Sequence, residues 1–447
     1  MHRILLCAAA LAAAMPLARA QDSLPQMREE VKKLQQRIDE LEGRVKDAEN
    51  TATQAAAQAS VRPQTESALN PGVSVILNGV YANLSRDPTT YRLNGFIPTM
   101  GDVAPPTRGF SLGESELGFM ANIDHMFRGT LIASISPDND SIGVEEGYIQ
   151  TIGLSHGFTI KAGRFFSAVG YQNQVHAHAW DFTDAPLAMR AFLGGQLNED
   201  GVQLRWIVPT ALYWDVGTEL GRGRAFPASL TDSGKNGAGS LNFFTHVGGD
   251  IGESIAWQTG VSHLRTNPRD RRYDDVDSLG NAVTNSFNGT SRLWVIDGIL
   301  KWSPNGNPTY NNFKLQGEYF RRNEDGSLTF NTASAALSNG LSSRQSGWYA
   351  QAVYQFLPQW RAGYRYDQLS PGTVRLDTSA SGLTAADFPI LAGYKPKKHS
   401  VMVDWNPSEF SRVRLQLARD YSRIGEPDTQ VFLQYIVSLG AHGAHRF

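Results

Sequence analysis

Two histidines one residue apart, His176-Ala-His178, are the densest metal-ligand signal in the chain. Neutral imidazole is the commonest protein metal ligand, and a His-x-His pair can hold zinc once a third group, such as Asp181 or Asp184, converges on it. A second pair, His442 and His445, lies in the C-terminal Gly-Ala-His-Gly-Ala-His run; on a continued strand these two point to opposite faces. Asp138-Asn-Asp140-Ser-Ile-Gly143 starts as a calcium loop does, but its fifth position is Ile142 and its twelfth is Ile149, where a bidentate Glu is required. Gly109-Phe-Ser111-Leu-Gly113 has the spacing of a nucleophile elbow. That elbow needs a strand before it and a helix after it, whereas a long loop precedes this one and an alternating stretch follows. The sequence has no Gly-Lys-Ser/Thr phosphate loop, and Cys7 is its only cysteine. The expectation is a chain that is not an enzyme and needs no cofactor.

The larger set of chemically capable residues is basic: Arg205, Lys301, Lys314, Arg361, Arg365, Arg412 and Arg414, with Arg190 in a long loop. Their spacing places them on strands. Beyond Val73, apolar and polar residues alternate with period two, the strand signature. In 411–423, Val413, Leu415 and Leu417 oppose Arg412, Arg414, Gln416 and Asp420. In 360–369, Trp360, Ala362, Tyr364 and Tyr366 oppose Arg361, Gly363, Arg365 and Asp367. Similar separation holds in 200–208 around Arg205 and in 291–302 around Lys301. About sixteen strands are expected: 73–84, 111–123, 128–136, 142–152, 158–169, 200–208, 211–220, 240–250, 254–264, 291–302, 311–323, 345–356, 360–369, 397–405, 411–423 and 429–445.

The connections alternate in length. Long ones cover 85–110, 170–199, 221–239, 265–290, 324–344 and 370–396; short ones include 124–127, 153–157, 357–359 and 406–410. Short turns on one side and long loops on the other suit a transmembrane β-barrel. Lipid on the outer face explains the faces: a charge at the bilayer midplane costs ~2–4 kcal/mol, so charges point inward. So many inward ions imply water, and a barrel this wide leaves a channel. The last strand alternates from Val431 to Ala441, and the chain ends on Phe447, as in the insertion signal of bacterial outer-membrane barrels.

Before the barrel the pattern changes. His2-Arg3, an apolar run to Ala14, and Ala18-Arg19-Ala20 read as a signal peptide over 1–20. Residues 21–57 carry heptads, with Leu24, Val31, Ile38, Val45 and Ala52 at a and Met27, Leu34, Leu41 and Ala48 at d, predicting a coiled-coil helix. An even strand number puts this helix on the periplasmic side. Residues 58–71 form a Ser-, Gln- and Pro-rich linker and 72–447 the barrel. A formal charge of -2 argues against nucleic acid as partner.

The stretch Phe158-Thr-Ile-Lys-Ala-Gly-Arg-Phe-Phe-Ser-Ala-Val-Gly170 resembles a strand of the phosphate-selective porin O/P superfamily, and a coiled coil ahead of the barrel is similar to the DcaP-like trimeric porins of that group. The resemblance implies a sixteen-stranded, homotrimeric diffusion channel in the bacterial outer membrane, set among lipid and lipopolysaccharide and passing small hydrophilic solutes. Phosphate-selective members carry a dense lysine–arginine ladder; here the inferred lumen also holds Glu114, Glu116, Asp215, Glu219, Asp250, Asp297, Glu318, Asp367, Asp404 and Asp420. Bases facing acids across a pore would set a transverse field and favour anions on the basic side. Loop 170–199 is expected to fold into the lumen, because Trp180, Phe182, Leu187, Met189, Phe192 and Leu193 would otherwise meet water. The alternative reading is a zinc-handling uptake protein using His176 and His178. The histidine-bearing tail resembles that of outer-membrane proteins associated with zinc-regulated uptake.

Overall fold

The computed structural model describes residues 71–99, 103–136, 141–229 and 236–440, together with Glu29, Lys32 and Lys33. The chain divides into two compact units, Met1–Thr65 and Glu66–Phe447. In the first, Glu29, Lys32 and Lys33 are helical and exposed. The predicted signal peptide, the remaining heptad positions, most of the linker, and the tail with His442, His445 and Phe447 lie outside the described residues.

The second unit is built of strands because nearly every stretch between turns keeps the two-residue alternation that one wall between two solvents demands. The strands are β1 (Gly72–Leu84), β2 (Gly109–Leu112, continued as Ser115–Asn122), β3 (Phe127–Ser136), β4 (Ser141–Thr151), β5 (Phe158–Phe166), β6 (Asn198–Ile207), β7 (Tyr213–Gly221), β8 (Ser240–Ile251), β9 (Ile255–Thr266, continued as Arg271–Val276), β10 (Ala282–Trp302), β11 (Asn312–Phe330), β12 (Leu337–Leu357), β13 (Trp360–Asp377), β14 (Lys397–Ser408), β15 (Ser411–Asp420) and β16 (Asp428–Gly440). Both halves of β2 pair with β1, and both halves of β9 pair with β10. Eighteen stretches therefore make sixteen strands in one sheet. Pro268 interrupts β9, since it has no N–H to give the ladder; its carbonyl still accepts from Gly289 N at 3.0 Å. Each strand is antiparallel to its neighbours. β1 and β16 close the cylinder in register from Ser74↔Gly440 to Leu84↔Gln430.

The outer face of the lower wall is apolar. Val403, Leu415 and Leu433 stand side by side across β14, β15 and β16, all exposed. Their strand neighbours Asp404, Arg414 and Gln434 are buried inside. This is the arrangement the sequence pattern predicts. No helix among the described residues is long and apolar enough to cross a membrane; strands supply the wall.

Strand length departs from expectation. β10 and β12 have 21 residues each, β11 has 19 and β13 has 18. About 9–11 residues cross a bilayer, so on the order of ten more, ~30 Å of strand, extend past it. Most of 265–290 and 324–344, expected as loops, is this extended wall; the connections shrink to 277–281 and 331–336. The physical reason is a change of solvent along one strand. Beyond the apolar belt the outer face turns polar, as at Ser342 and Arg344, while the inner face stays buried at Leu341 and Ser343. There Tyr273, Val283, Phe287, Leu328, Phe330 and Leu341 pack on Ile97, Phe388 and Ile390 from the loops.

Candidate functional site

The lumen is dominated by the connection between β5 and β6, residues 167–197. It leaves the wall at Gly170, whose φ of 74° is a left-handed conformation. A Cβ there would lie 2.6 Å from Glu318 Oε1, so both the backbone and the space favour glycine. Glu318, on β11, accepts from Tyr171 N at 2.6 Å and Gln172 N at 3.0 Å. Four strands away, Glu219 on β7 accepts from Ser167 Oγ at 2.5 Å and Ala168 N at 2.8 Å. Asn173 laces the base, donating to Ser167 O and Leu197 O and accepting from Leu197 N.

The loop then forms one short helix, α1 (Leu187–Leu193), every residue of which is buried. Asp367 Oδ1 accepts from Leu187 N at 2.9 Å, and Gly194, at φ 72°, ends the helix in the left-handed conformation that favours glycine. Leu187, Met189, Phe192 and Leu193 pack on Leu293, Val295, Phe320, Tyr349 and Leu369 of β10–β13 and on Phe96 of the first loop. Phe192 stacks on Phe320 at 5.9 Å between ring centroids. The insertion expected from the loop's apolar content is present. It packs on the inner face of β10–β13 and narrows the lumen, as that content predicts.

Seven of the eight predicted basic residues separate into two groups. Arg190, Arg365 and Arg414 are 3%, 1% and 1% exposed; they were expected to line water and instead fasten the loop. Asp184 is the hub: it takes Arg190 Nη2 at 3.0 Å, Arg365 Nη2 at 2.9 Å, Lys398 Nζ at 2.7 Å and Gln416 Nε2 at 2.8 Å. Arg414 bonds Asp404 at 2.8 Å and donates to Trp180 O at 2.8 Å. Burying three arginines is tolerable only because each meets a carboxylate and further hydrogen-bonding oxygen.

The second group, Lys301, Lys314, Arg361 and Arg412, remains partly exposed. Lys314 pairs with Asp181; Arg361 pairs with Asp404 and, at 3.3 Å, with Asp181. Arg412 lies 3.8 Å from Asp404 and donates to Trp180 O at 3.2 Å. Lys301, Lys314 and Arg412 face a cavity of about 390 Å³ near the short turns. Arg205 stands apart on β6, 3.0 Å from Asp215, and faces a second cavity of about 660 Å³ lined also by Glu116, Glu146, His176, His178 and His246. Tyr171, Val175 and His178 border both cavities, so the loop stands between a basic chamber and one of mixed charge.

His176 and His178 do come together, but not with Asp181 or Asp184, which the basic residues have taken. Glu116 of β2 meets them instead: His178 Nδ1 is 2.6 Å from Glu116 Oε1, and His176 Nδ1 is 3.3 Å from Glu116 Oε2. Glu145 and Glu146 of β4 close the group, at 3.5 Å and 3.1 Å from His176. Sequence alternation missed this pair, since one of two adjacent glutamates should face lipid. A bulge resolves it: Glu146 stands opposite Ile132 and Val144 opposite Ala133, leaving Glu145 as the extra residue. Both glutamates are thereby buried on the inner side. Lys398 and the Arg271–Glu324 pair, at 2.7 Å, were also missed. Outside the wall, Asp387 accepts from Ser278 and Thr384, and these hydrogen bonds hold its carboxyl below the usual carboxylate range.

No family model matches the chain. A protein of Aquifex aeolicus (strain VF5), described as uncharacterized, is 29% identical over 355 residues, spanning 76% of this chain and 70% of its own length. Among solved structures, the outer membrane channel DcaP of Acinetobacter baumannii matches with a TM-score of 0.49 at 12% identity, covering 83% of this chain and 97% of that one. An anion-selective porin from Comamonas acidovorans matches with a TM-score of 0.49 at 10% identity, covering 83% and 99%. OmpT, an outer membrane protein of Vibrio cholerae, matches with a TM-score of 0.48 at 9% identity, covering 83% and 97%. In its own architecture the chain is a closed, sixteen-stranded antiparallel β-barrel with its third long-side loop folded inward.

Proposed function

We propose that the protein is an outer-membrane porin, a narrow channel for small hydrophilic solutes whose passage is set by loop 167–197. One observation carries this reading: a closed cylinder apolar outside and ionic inside, with a loop held across the lumen by residues from opposite walls. Such a wall is stable only with lipid outside. The partly exposed Lys301, Lys314, Arg361 and Arg412 favour anions on their side of the loop. The N-terminal heptads support self-association, and the resemblance to DcaP-like porins implies that the number is three. Outward Arg265 and Arg292 are directly paired across β9 and β10 beyond the apolar belt. Like charges so placed repel; Asp325, 3.7 Å from Arg292, offsets part of this, and lipopolysaccharide phosphate would relieve the rest.

Planar-bilayer recording of the folded protein tests the reading. Small, stable conductance steps with anion preference are expected. Replacing Lys301, Lys314, Arg361 and Arg412 with Ala should move the reversal potential towards cation preference. A correctly folded barrel that passes no current would end the proposal.

A further inference from the structure

The junction of the inserted loop with the β2–β4 wall has a composition that channel lining alone does not require. Two imidazoles and four carboxylates meet there: His176 and His178 from the loop, Glu116 from β2, Glu145 and Glu146 from β4, and Glu114 beside Glu145. One ligand atom each from Glu116, His176 and His178 lies within 4.8 Å of the others. A tetrahedral zinc site with bonds of about 2.0–2.1 Å spaces its ligand atoms ~3.3 Å apart, so modest ring and carboxyl rotation brings the three onto one ion. The next donor is in place. Glu145 Oε2 and His176 Nδ1 are buried, make no well-aligned hydrogen bond, and sit 3.5 Å apart, with Glu116 Oε2 3.3 Å from the same nitrogen. Buried polar atoms normally find partners; here two face each other across a gap suited to a shared cation. Lys161 is a basic residue on the same cavity wall, leaving the carboxylates in excess.

We propose that Glu116, His176 and His178, with Glu145 as fourth donor, bind a divalent transition-metal ion of the zinc class. Imidazole with carboxylate suits zinc, nickel and copper, whereas calcium and magnesium take oxygen ligands in larger number. The ion bridges loop and wall, so its binding holds the constriction in place. The 660 Å³ cavity beside it gives hydrated ions access.

The test is calorimetric titration of zinc into the full chain, purified in detergent and stripped with chelator. Binding is read without any conductance, so its outcome is separate from that of the channel reading. One zinc per chain is expected, with calcium and magnesium failing to compete. His176→Ala with His178→Ala, which removes two of the ligands, should weaken binding by more than ~100-fold, and Glu116→Gln, which keeps side-chain size, at least ~tenfold. His442→Ala with His445→Ala should leave the site intact. Retained heat-modifiable migration on gels shows each variant folded. Equal zinc heats from wild type and the double loop variant, or loss of binding in the tail variant instead, would overturn the site.

Discussion

Asp184 shows how single residues govern this lumen. Its carboxylate serves Arg190 from the same loop, Arg365 from β13 and Lys398 from β14. Removing it leaves Arg190 without a carboxylate, while Arg365 keeps Asp367 at 2.9 Å and Lys398 keeps Asp420 at 3.7 Å; breaking one buried pair costs ~3–5 kcal/mol. Asp184→Ala should therefore lower the unfolding free energy of the liposome-inserted barrel in urea by an amount of that order, and the urea midpoint with it. Asp184→Asn, which keeps part of the hydrogen bonding, should fall between the two. An unchanged midpoint in both would show that the hub contributes nothing to stability. The hub was not legible in the sequence. The residues that meet there are 6, 181 and 214 positions from Asp184, and alternation reports which face a side chain takes, not which one it meets across a barrel. The glutamates at the histidines failed for a related reason: one inserted residue reverses the face, and period two cannot see it.

At the scale of elements, the inserted loop and the wall strands were legible to different depths. Aromatic and aliphatic residues between β5 and β6 announced an element that could not stay in water, and it packs inside. All sixteen strands fall where alternation placed them, because lipid on one side enforces the pattern. Their ends did not, since β10–β13 run on into water where outer polarity resembles that of loops. The hinge of the loop offers a test. Gly170→Val forces a branched side chain into a left-handed conformation and onto Glu318. The wall does not depend on this residue, but the loop's entry does. Single-channel conductance should rise several-fold while the protein keeps its folded migration on gels. Conductance equal to wild type would mean that the loop does not limit flow.

The whole molecule is one wall between two solvents, and that wall changes outer solvent partway up. Leu415 points outward between Val403 and Leu433, in the belt assigned to lipid. Ser342 also points outward, on the extended part of β12, six residues past Trp348. Both are exposed, so accessibility alone does not distinguish them; only the surrounding medium does. Arginine at Leu415 should cost ~2–4 kcal/mol when the barrel unfolds from liposomes in urea, as for a lipid-facing charge near the midplane. Arginine at Ser342 should change stability by no more than about 0.5 kcal/mol, as at an ordinary water-facing position. In detergent micelles, which deform around a charge, the gap between the two variants should shrink. Equal costs in liposomes would mean that the membrane boundary does not fall between these two positions, and the division of β10–β13 into a spanning and a protruding part would have to be redrawn.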